Sequence, residues 1–323
     1  MMPVSTERLN WFWNNDCSKE CGRLGPAPER MKTMIIKEQE LMSRHTTFKV
    51  GGPARYYLIP ETTGEVREAL AFADARQLPF MIVGNGSNLL FADGEYPGVV
   101  IEIGESLSGF STNGEYEVTV EAGMRLTAMA SRLAKMGLAG FEFAGGIPGT
   151  VGGGITMNAG AYGGEIKDCL KEVTVLTAEG EQKTLSAENL QLSYRHSILQ
   201  EKDWTVLSGT FVFQQGDPEE IQAKIRELNE KRREKQPLEF ASAGSTFKRP
   251  EGYFAGKLIE DAGLRGYAVG DAQVSEKHCG FVINRGDATA GEIYSLILHV
   301  QQVVKEKFDV ELEPEVRLIG EFS

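Results

Sequence analysis

The sequence predicts an α+β fold in three units behind an amino-terminal extension, and three observations predict it. The chain of 323 residues is longer than one typical domain. Short apolar runs alternate with helix-spaced segments up to Asp217-Pro218, where a long charged helical pattern begins. Between Gly145 and Gly164, nine residues are glycine and none is Asp, Glu, Lys, Arg or His. Glycine costs backbone entropy, so that density marks a place where backbone must come very close to something. The expected units are residues 1–32 (the extension), 33–103, 104–217 and 218–323.

In the extension, Ser5 to Arg8 can cap a short helix carrying Trp11-Phe12-Trp13, which are expected to pack on the body. Cys17 and Cys21 form a C-x3-C pair, but no further ligands lie nearby at zinc-site spacing. With Cys169 and Cys279 they read as free thiols of a reducing compartment.

The first unit opens with His45-Thr46-Thr47-Phe48-Lys49-Val50-Gly51-Gly52-Pro53-Ala54-Arg55, followed by a strand over Tyr56–Ile59. Glu65 to Arg76 has helical spacing, with Thr62 or Thr63 as its cap. Phe80–Val83 reads as a short buried strand, and Gly84-Asn85-Gly86-Ser87-Asn88 follows as a tight polar loop. Val99–Ile103 then closes a strand–helix–strand unit. A strand, a glycine loop and small hydroxyl or amide side chains make a phosphate cradle. The same letters also make an ordinary turn.

In the second unit, Glu117–Gly123 alternates like a strand and Leu126–Met136 reads as a helix stopped by Gly137. Within the glycine stretch, Pro148-Gly149 turns the chain and Thr150 offers a cap. Gly152-Gly153-Gly154 would make the helix that follows a poor one by itself. Its first N–H groups are expected to be bare, which would seat an anion. Strands are expected at Val173–Leu176, Gln182–Leu185 and Thr205–Phe213, the first two joined at Glu179-Gly180. Tyr194 and Arg195 fall in a polar loop, where residue type alone suggests a bridging surface arginine. Neither glycine loop has the G-x-G-x-x-G or the G-x-x-x-x-G-K-[ST] spacing. Together they suggest a dinucleotide held by backbone, in a fold other than the Rossmann fold.

The third unit begins with a charged helix, Glu219–Lys235, whose Lys231-Arg232-Arg233 run is either a solvated face or a screen for a phosphate. Gly244-Ser245 sets a hydroxyl on a flexible turn with Lys248 and Arg249 close behind. A short helix ends at Gly263, and Phe281–Asn284 reads as a strand. A long helix runs from Ala288-Thr289-Ala290 to Phe308, with Ile293, Leu296, Ile297, Val300 and Val304 on one face. Glu313 and Glu315 are expected on the same face of a closing strand.

Gly84–Leu90 and Gly145–Glu165 resemble the FAD-binding domain of the vanillyl-alcohol-oxidase (PCMH) type. Further matches are Y-R-x-S at Tyr194–Ser197, G-S-T-F-K-R-P at Gly244–Pro250 and L-E-P-E-V at Leu312–Val316. With them, the chain from about His45 to Gly320 is similar to the UDP-N-acetylenolpyruvoylglucosamine reductase family. The resemblance implies a two-subdomain FAD-binding fold plus a C-terminal α+β substrate-binding domain. It implies non-covalent FAD reduced by NADPH, and reduction of UDP-N-acetylglucosamine enolpyruvate to UDP-N-acetylmuramate in peptidoglycan precursor synthesis.

Carried over by position, the catalytic residues would be Ser245 as proton donor, Arg195 and Glu315, with Glu313 the nearest competitor of Glu315. An enolate forming on the substrate needs a fixed cation or acid at its oxygens, which suits Arg195 and a protonated Glu315. Cofactor contacts would fall at Gly84, Asn85, Gly86, Ser87, Asn88, Gly146, Ile147, Pro148, Gly149, Thr150, Gly153, Asn158, Ala159 and Gly160, with Thr47 or Gly51 beside the flavin. Substrate contacts would fall at Tyr194, Lys248, Arg249 and His278, the last reading equally as a structural histidine. No metal is expected. Only four residues link Pro250 to Ala255, so the chain resembles the shorter subtype without the insert that folds a tyrosine over the substrate.

Charge supports small-molecule partners. With 34 basic and 46 acidic residues the net charge is −12, which argues against non-specific nucleic-acid or anionic membrane binding. No apolar run approaches a transmembrane length, and the first residues lack a signal-peptide pattern. A cytoplasmic monomer is the expectation.

Overall fold

A computed structural model describes residues 34–322. The expected helix with Trp11-Phe12-Trp13 and the Cys17/Cys21 pair lie outside the described residues. Elements appear in the order β1 (Ile35–Leu41), β2 (Pro53–Ile59), α1 (Thr63–Ala75), β3 (Phe80–Val83), β4 (Leu89–Phe91) and β5 (Tyr96–Glu102). They continue with β6 (Phe110–Thr112), β7 (Glu117–Glu121), α2 (Leu126–Lys135), α3 (Val151–Thr156), β8 (Leu170–Leu176), β9 (Gln182–Ser186) and β10 (Thr205–Val212). The last are α4 (Pro218–Lys235), α5 (Ala255–Asp261), β11 (Ala268–Val269), β12 (Ala272–Val274), β13 (Val282–Asn284), α6 (Ala290–Phe308) and β14 (Arg317–Ile319).

Two sheets build the body. The first has the order β1-β2-β5-β3, with β2, β5 and β3 parallel and β1 antiparallel on the edge. The second is an antiparallel sheet in the order β9-β8-β10-β7-β6. One apolar core runs through both, from Val66 and Leu70 of α1 to Leu126, Met129 and Leu133 of α2 and Ile155 of α3. Phe141, Phe143, Phe211 and Phe213 meet there mostly edge-on, the arrangement ring quadrupoles favour.

Local chemistry places these elements. Thr62 caps α1 by accepting from Glu65 N, and Asp217 caps α4 by accepting from Glu219 and Glu220 N. Gly137 ends α2 at φ +69°, a conformation cheap only for glycine. Thr289 and Glu292 form a capping box at the start of α6.

The third unit is a three-stranded antiparallel sheet, β11-β12-β13, packed on α6. It is stitched to the first unit in three ways. Phe48, Val50 and Leu90 enter its core. Strand β14 pairs in parallel with β4, Arg317 opposite Leu89. Both carboxylate oxygens of Asp93 accept from the start of α6, at Ala290 N (2.9 Å) and Gly291 N (2.8 Å). Cys169 and Cys279 are buried free thiols. Among the described residues, no helix is long and apolar enough to cross a membrane.

Candidate active site

Two cavities open side by side. One, of 650 Å³, lies between the glycine loops, and the other, of 610 Å³, lies against the third unit. Arg195, Ser245 and Glu315 line both, as do Arg249 and His278. The three predicted catalytic residues therefore stand in the shared wall.

Each is held there by its own backbone. The loop Ser193–His196 is a tight turn with mutual N–H···O bonds of 3.1 and 3.2 Å, so Tyr194 and Arg195 form its tip. Asn158 Nδ2 donates to Ser193 O (2.9 Å), and Gln200 Nε2 donates to both Arg195 O and Thr156 O at 3.0 Å. The tip is thus pinned to the end of α3, with Arg195 at φ +56°. Non-glycine residues rarely adopt that conformation, and it persists where surroundings enforce it.

Ser245 follows Gly244 (φ +78°). The buried Thr246 fixes it by donating its N–H to Gly280 O (2.8 Å), accepting from Val282 N at its hydroxyl (2.9 Å) and accepting from Glu315 N at its carbonyl (2.8 Å). Phe247 bridges Pro314, so Ser245 and Glu315 come from adjoining backbones.

Arg195 Nε lies 2.6 Å from Glu315 Oε1, with side chains 21% and 11% exposed. The approach is out of line for a hydrogen bond, so that buried N–H lacks an aligned acceptor. Burial pushes the Glu315 carboxyl above its ordinary value, and Arg195 and Lys248 oppose the shift without cancelling it. His278 Nδ1 accepts from Gly280 N (3.1 Å), and burial holds the imidazole below its ordinary value, keeping it neutral.

The first glycine loop fits a dinucleotide. A Cβ on Gly84 would stand 2.3 Å from Thr150 Oγ1, and one on Gly86 would stand 1.9 Å from His45 O. Asn85 Nδ2 donates to Pro148 O (2.6 Å), tying this loop to the glycine stretch. No described residue accepts from the backbone N–H groups of Asn85, Gly86, Ser87 or Asn88, which line the larger cavity. Such a run of free donors suits a diphosphate. The buried Gln236 Oε1, also in this wall, has no partner among the described residues and can accept from a nucleotide N–H.

The expected anion seat at α3 is corrected. Val151 N donates to Met124 O and Gly152 N to Ala122 O, both at 2.8 Å, while Gly153 N meets the Thr150 hydroxyl. Strand-end carbonyls already occupy those donors, so the free ones lie in the first loop instead.

Of the other predicted residues, Ile147, Pro148, Gly149, Thr150, Gly153, Ala159 and Gly160 line the larger cavity with Gly84–Asn88. Gly146 and Asn158 line neither cavity. Gly146 packs on Asn229 and Arg232 of α4. Asn158 is buried, and its amide is used on Glu165, Ser193 and Lys167. Thr47 and Gly51 also line neither; Gly51 faces Phe91 instead. Tyr194 lines the smaller cavity, and its hydroxyl accepts from Arg249 N (3.2 Å). Lys248 lines neither, being paired with Glu313. Glu313 is exposed, and the backbone is extended in a strand only from Arg317, so the two glutamates do not share a strand face.

Lys277, the candidate substrate contact beside His278, lines the smaller cavity; sequence reasoning missed Lys257 and Arg265 there and Gln200, Trp204 and Arg317 in the larger. Of the Lys231-Arg232-Arg233 run, only Arg232 lines the larger cavity, where burial lowers its pKa. It pairs with no described carboxylate.

A flavin-sized cradle opening onto an arginine, a buried carboxyl and a serine hydroxyl defines an FAD-dependent oxidoreductase. Residues 54–186 match the FAD binding domain model, and residues 236–319 match the model for the UDP-N-acetylenolpyruvoylglucosamine reductase C-terminal domain. The chain is 54% identical to the UDP-N-acetylenolpyruvoylglucosamine reductase of Lachnoclostridium phytofermentans, covering 91% of this chain and 97% of that one. It is 52% identical to that of Agathobacter rectalis over the same shares. The crystal structure of the UDP-N-acetylenolpyruvylglucosamine reductase (MurB) from Thermus caldophilus matches with a TM-score of 0.77 and 34% identity, covering 89% of this chain and all of that one. The chain belongs to the UDP-N-acetylenolpyruvoylglucosamine reductase family.

Proposed function

We propose that the protein reduces UDP-N-acetylglucosamine enolpyruvate to UDP-N-acetylmuramate with NADPH, in the synthesis of peptidoglycan precursors, as a cytoplasmic monomer. The observation that carries this reading is the shared wall. A cofactor cavity and a substrate cavity meet at Arg195, Ser245 and Glu315. When bound non-covalently, FAD supplies the hydride, taken from NADPH, for the far carbon of the enol ether.

The chain supplies the rest. Asn85–Asn88 hold the diphosphate by backbone N–H groups, and Arg232 adds a cation to the same cavity. Arg249, Lys257, Arg265 and Lys277 put positive charge around the smaller cavity, where a nucleotide diphosphate needs it. Arg195 presents its guanidinium to the substrate carboxylate, with its out-of-line Nε–H available for that oxygen. Glu315, whose carboxyl burial pushes above its ordinary value, donates to the other carboxylate oxygen when it carries its proton, and the pair stabilises the negative charge that spreads there. Ser245 hands its proton to the near carbon. A division at about residues 33, 104 and 218 belongs to the same reading, with residues 218–323 closing over the substrate.

The test is anaerobic. NADPH should bleach the yellow protein, and the enolpyruvyl sugar nucleotide should restore the colour. Equal recovery with a pyruvate enol ether lacking UDP would refute the substrate assignment.

A further inference from the structure

The cofactor loop and the catalytic glutamate touch through one residue. Asn88, last in the Gly84–Asn88 loop, donates from Nδ2 to the Glu315 carbonyl at 3.1 Å, across 227 residues of sequence. Its own carbonyl accepts from Arg317 N at 3.0 Å. Immediately after it the β4/β14 ladder begins, Leu89 opposite Arg317. Asn88 therefore clamps both sides of the Glu315–Arg317 segment while lining the cofactor cavity.

Among the described residues, the Glu315 backbone has one other tether, its N–H on Thr246 O. That contact fixes Glu315 relative to Ser245. The Asn88 contact fixes it relative to the cofactor loop. Losing the second leaves Glu315 set against the proton donor but held to the cofactor loop only two residues on, through Arg317 N and the β4/β14 ladder.

Resting on the FAD reading above, we propose that Asn88 is a positioning residue that couples cofactor occupancy to the placement of Glu315. Order in the loop stabilises the clamp, and the clamp stabilises order in the loop; linkage makes the two effects equal and reciprocal. FAD entry thus readies the carboxyl that the substrate will meet, before any substrate arrives.

Hydrogen–deuterium exchange of the peptide over residues 313–320 tests this, with the full chain prepared with and without FAD. In the unaltered protein, FAD removal should speed exchange there on the order of tenfold, as expected when a local opening becomes easier. In Asn88→Asp, which keeps the side-chain shape but replaces the donor by a carboxylate, exchange should be fast in both states. Asn88→Ser, which keeps a short donor, should restore part of the difference. The second readout is a double-mutant cycle on the rate at which the enolpyruvyl sugar reoxidises the reduced protein. Asn88→Asp combined with Glu315→Gln should be no slower than Glu315→Gln alone, because Asn88 acts through Glu315.

Exchange over 313–320 that ignores FAD, or losses that multiply in the cycle, would overturn the proposal. Failure of the chain to bind FAD at all would instead sink the reading on which it rests. The exchange arm needs no substrate, so an error in substrate identity leaves it intact.

Discussion

Gly86→Ala is the substitution whose cost the structure fixes best. Gly86 sits at φ +58°, and a Cβ there would come within 1.9 Å of the His45 carbonyl oxygen. The left-handed backbone alone costs a non-glycine residue about 1–2 kcal/mol. Relieving the clash means moving backbone, since His45 O is no flexible side-chain end, and forced overpacking costs roughly 1–3 kcal/mol more. The loop can escape only by shifting away from His45, into the cofactor cavity it lines. A sum near 3 kcal/mol, half of it felt in binding, weakens FAD affinity about tenfold.

Two internal controls calibrate the estimate. Gly163 has φ +91° with nothing within 4 Å of a Cβ, so Gly163→Ala isolates the backbone term. Gly94 has no such φ and open space, so Gly94→Ala should be neutral or stabilising by up to ~1 kcal/mol. Flavin fluorescence after dilution reports affinity, and thermal unfolding of the FAD-free protein reports the fold. Wild-type affinity and melting for Gly86→Ala would refute the argument that the loop is wedged between His45 and the cofactor.

Other outcomes follow from the same geometry. Ser245→Ala should leave NADPH-driven bleaching within a few-fold of wild type and slow reoxidation by the enolpyruvyl sugar ~10²–10⁴-fold in anaerobic stopped flow; equal slowing of both halves would make Ser245 a shaping residue. Glu315 titrates above its ordinary carboxylate value of 4.5, so the folded state holds this proton more tightly than the unfolded chain does. Its contribution to stability is complete below 4.5 and is lost as pH rises through the folded value. The FAD-free protein should therefore show a decline in Tm above pH 4.5 that Glu315→Gln removes, and an unchanged profile would contradict the assignment. Asp93→Ala deletes two bonds to the start of α6 and should cost about 2 kcal/mol, seen as a Tm drop of a few degrees.

The parts of the fold written in local chemistry were legible. The cap at Thr62, the boundary at Asp217-Pro218, the helix opening at Ala288-Thr289-Ala290 and the stop at Gly137 are read from single residues and their neighbours. Strand β1 was not legible. It is an edge strand with Ile35 and Leu41 exposed, so its burial does not alternate. Spelling also could not say what a polar group would bond. Asn158 resembles a cofactor contact, but the chain itself uses its amide to hold the Arg195 loop. Gly51 resembles a flavin neighbour, yet it exists to pass Phe91 closely. Lys248 stands beside Ser245 in sequence, and its charge goes to Glu313. Two cations of the smaller cavity, Lys257 and Arg265, come from scattered positions that no local pattern unites.

The β4/β14 ladder bears on how the molecule is made. Leu89–Phe91 emerges early during synthesis, whereas its partner Arg317–Ile319 is made far later. Contacts this distant in sequence form late. Until Arg317–Ile319 emerges, the nascent chain carries an unmated strand beside a half-built nucleotide site, a template for unwanted pairing. Flavin capture should therefore follow the emergence of that strand, and a product stalled or clipped before that point should aggregate before it can act as a colourless decoy.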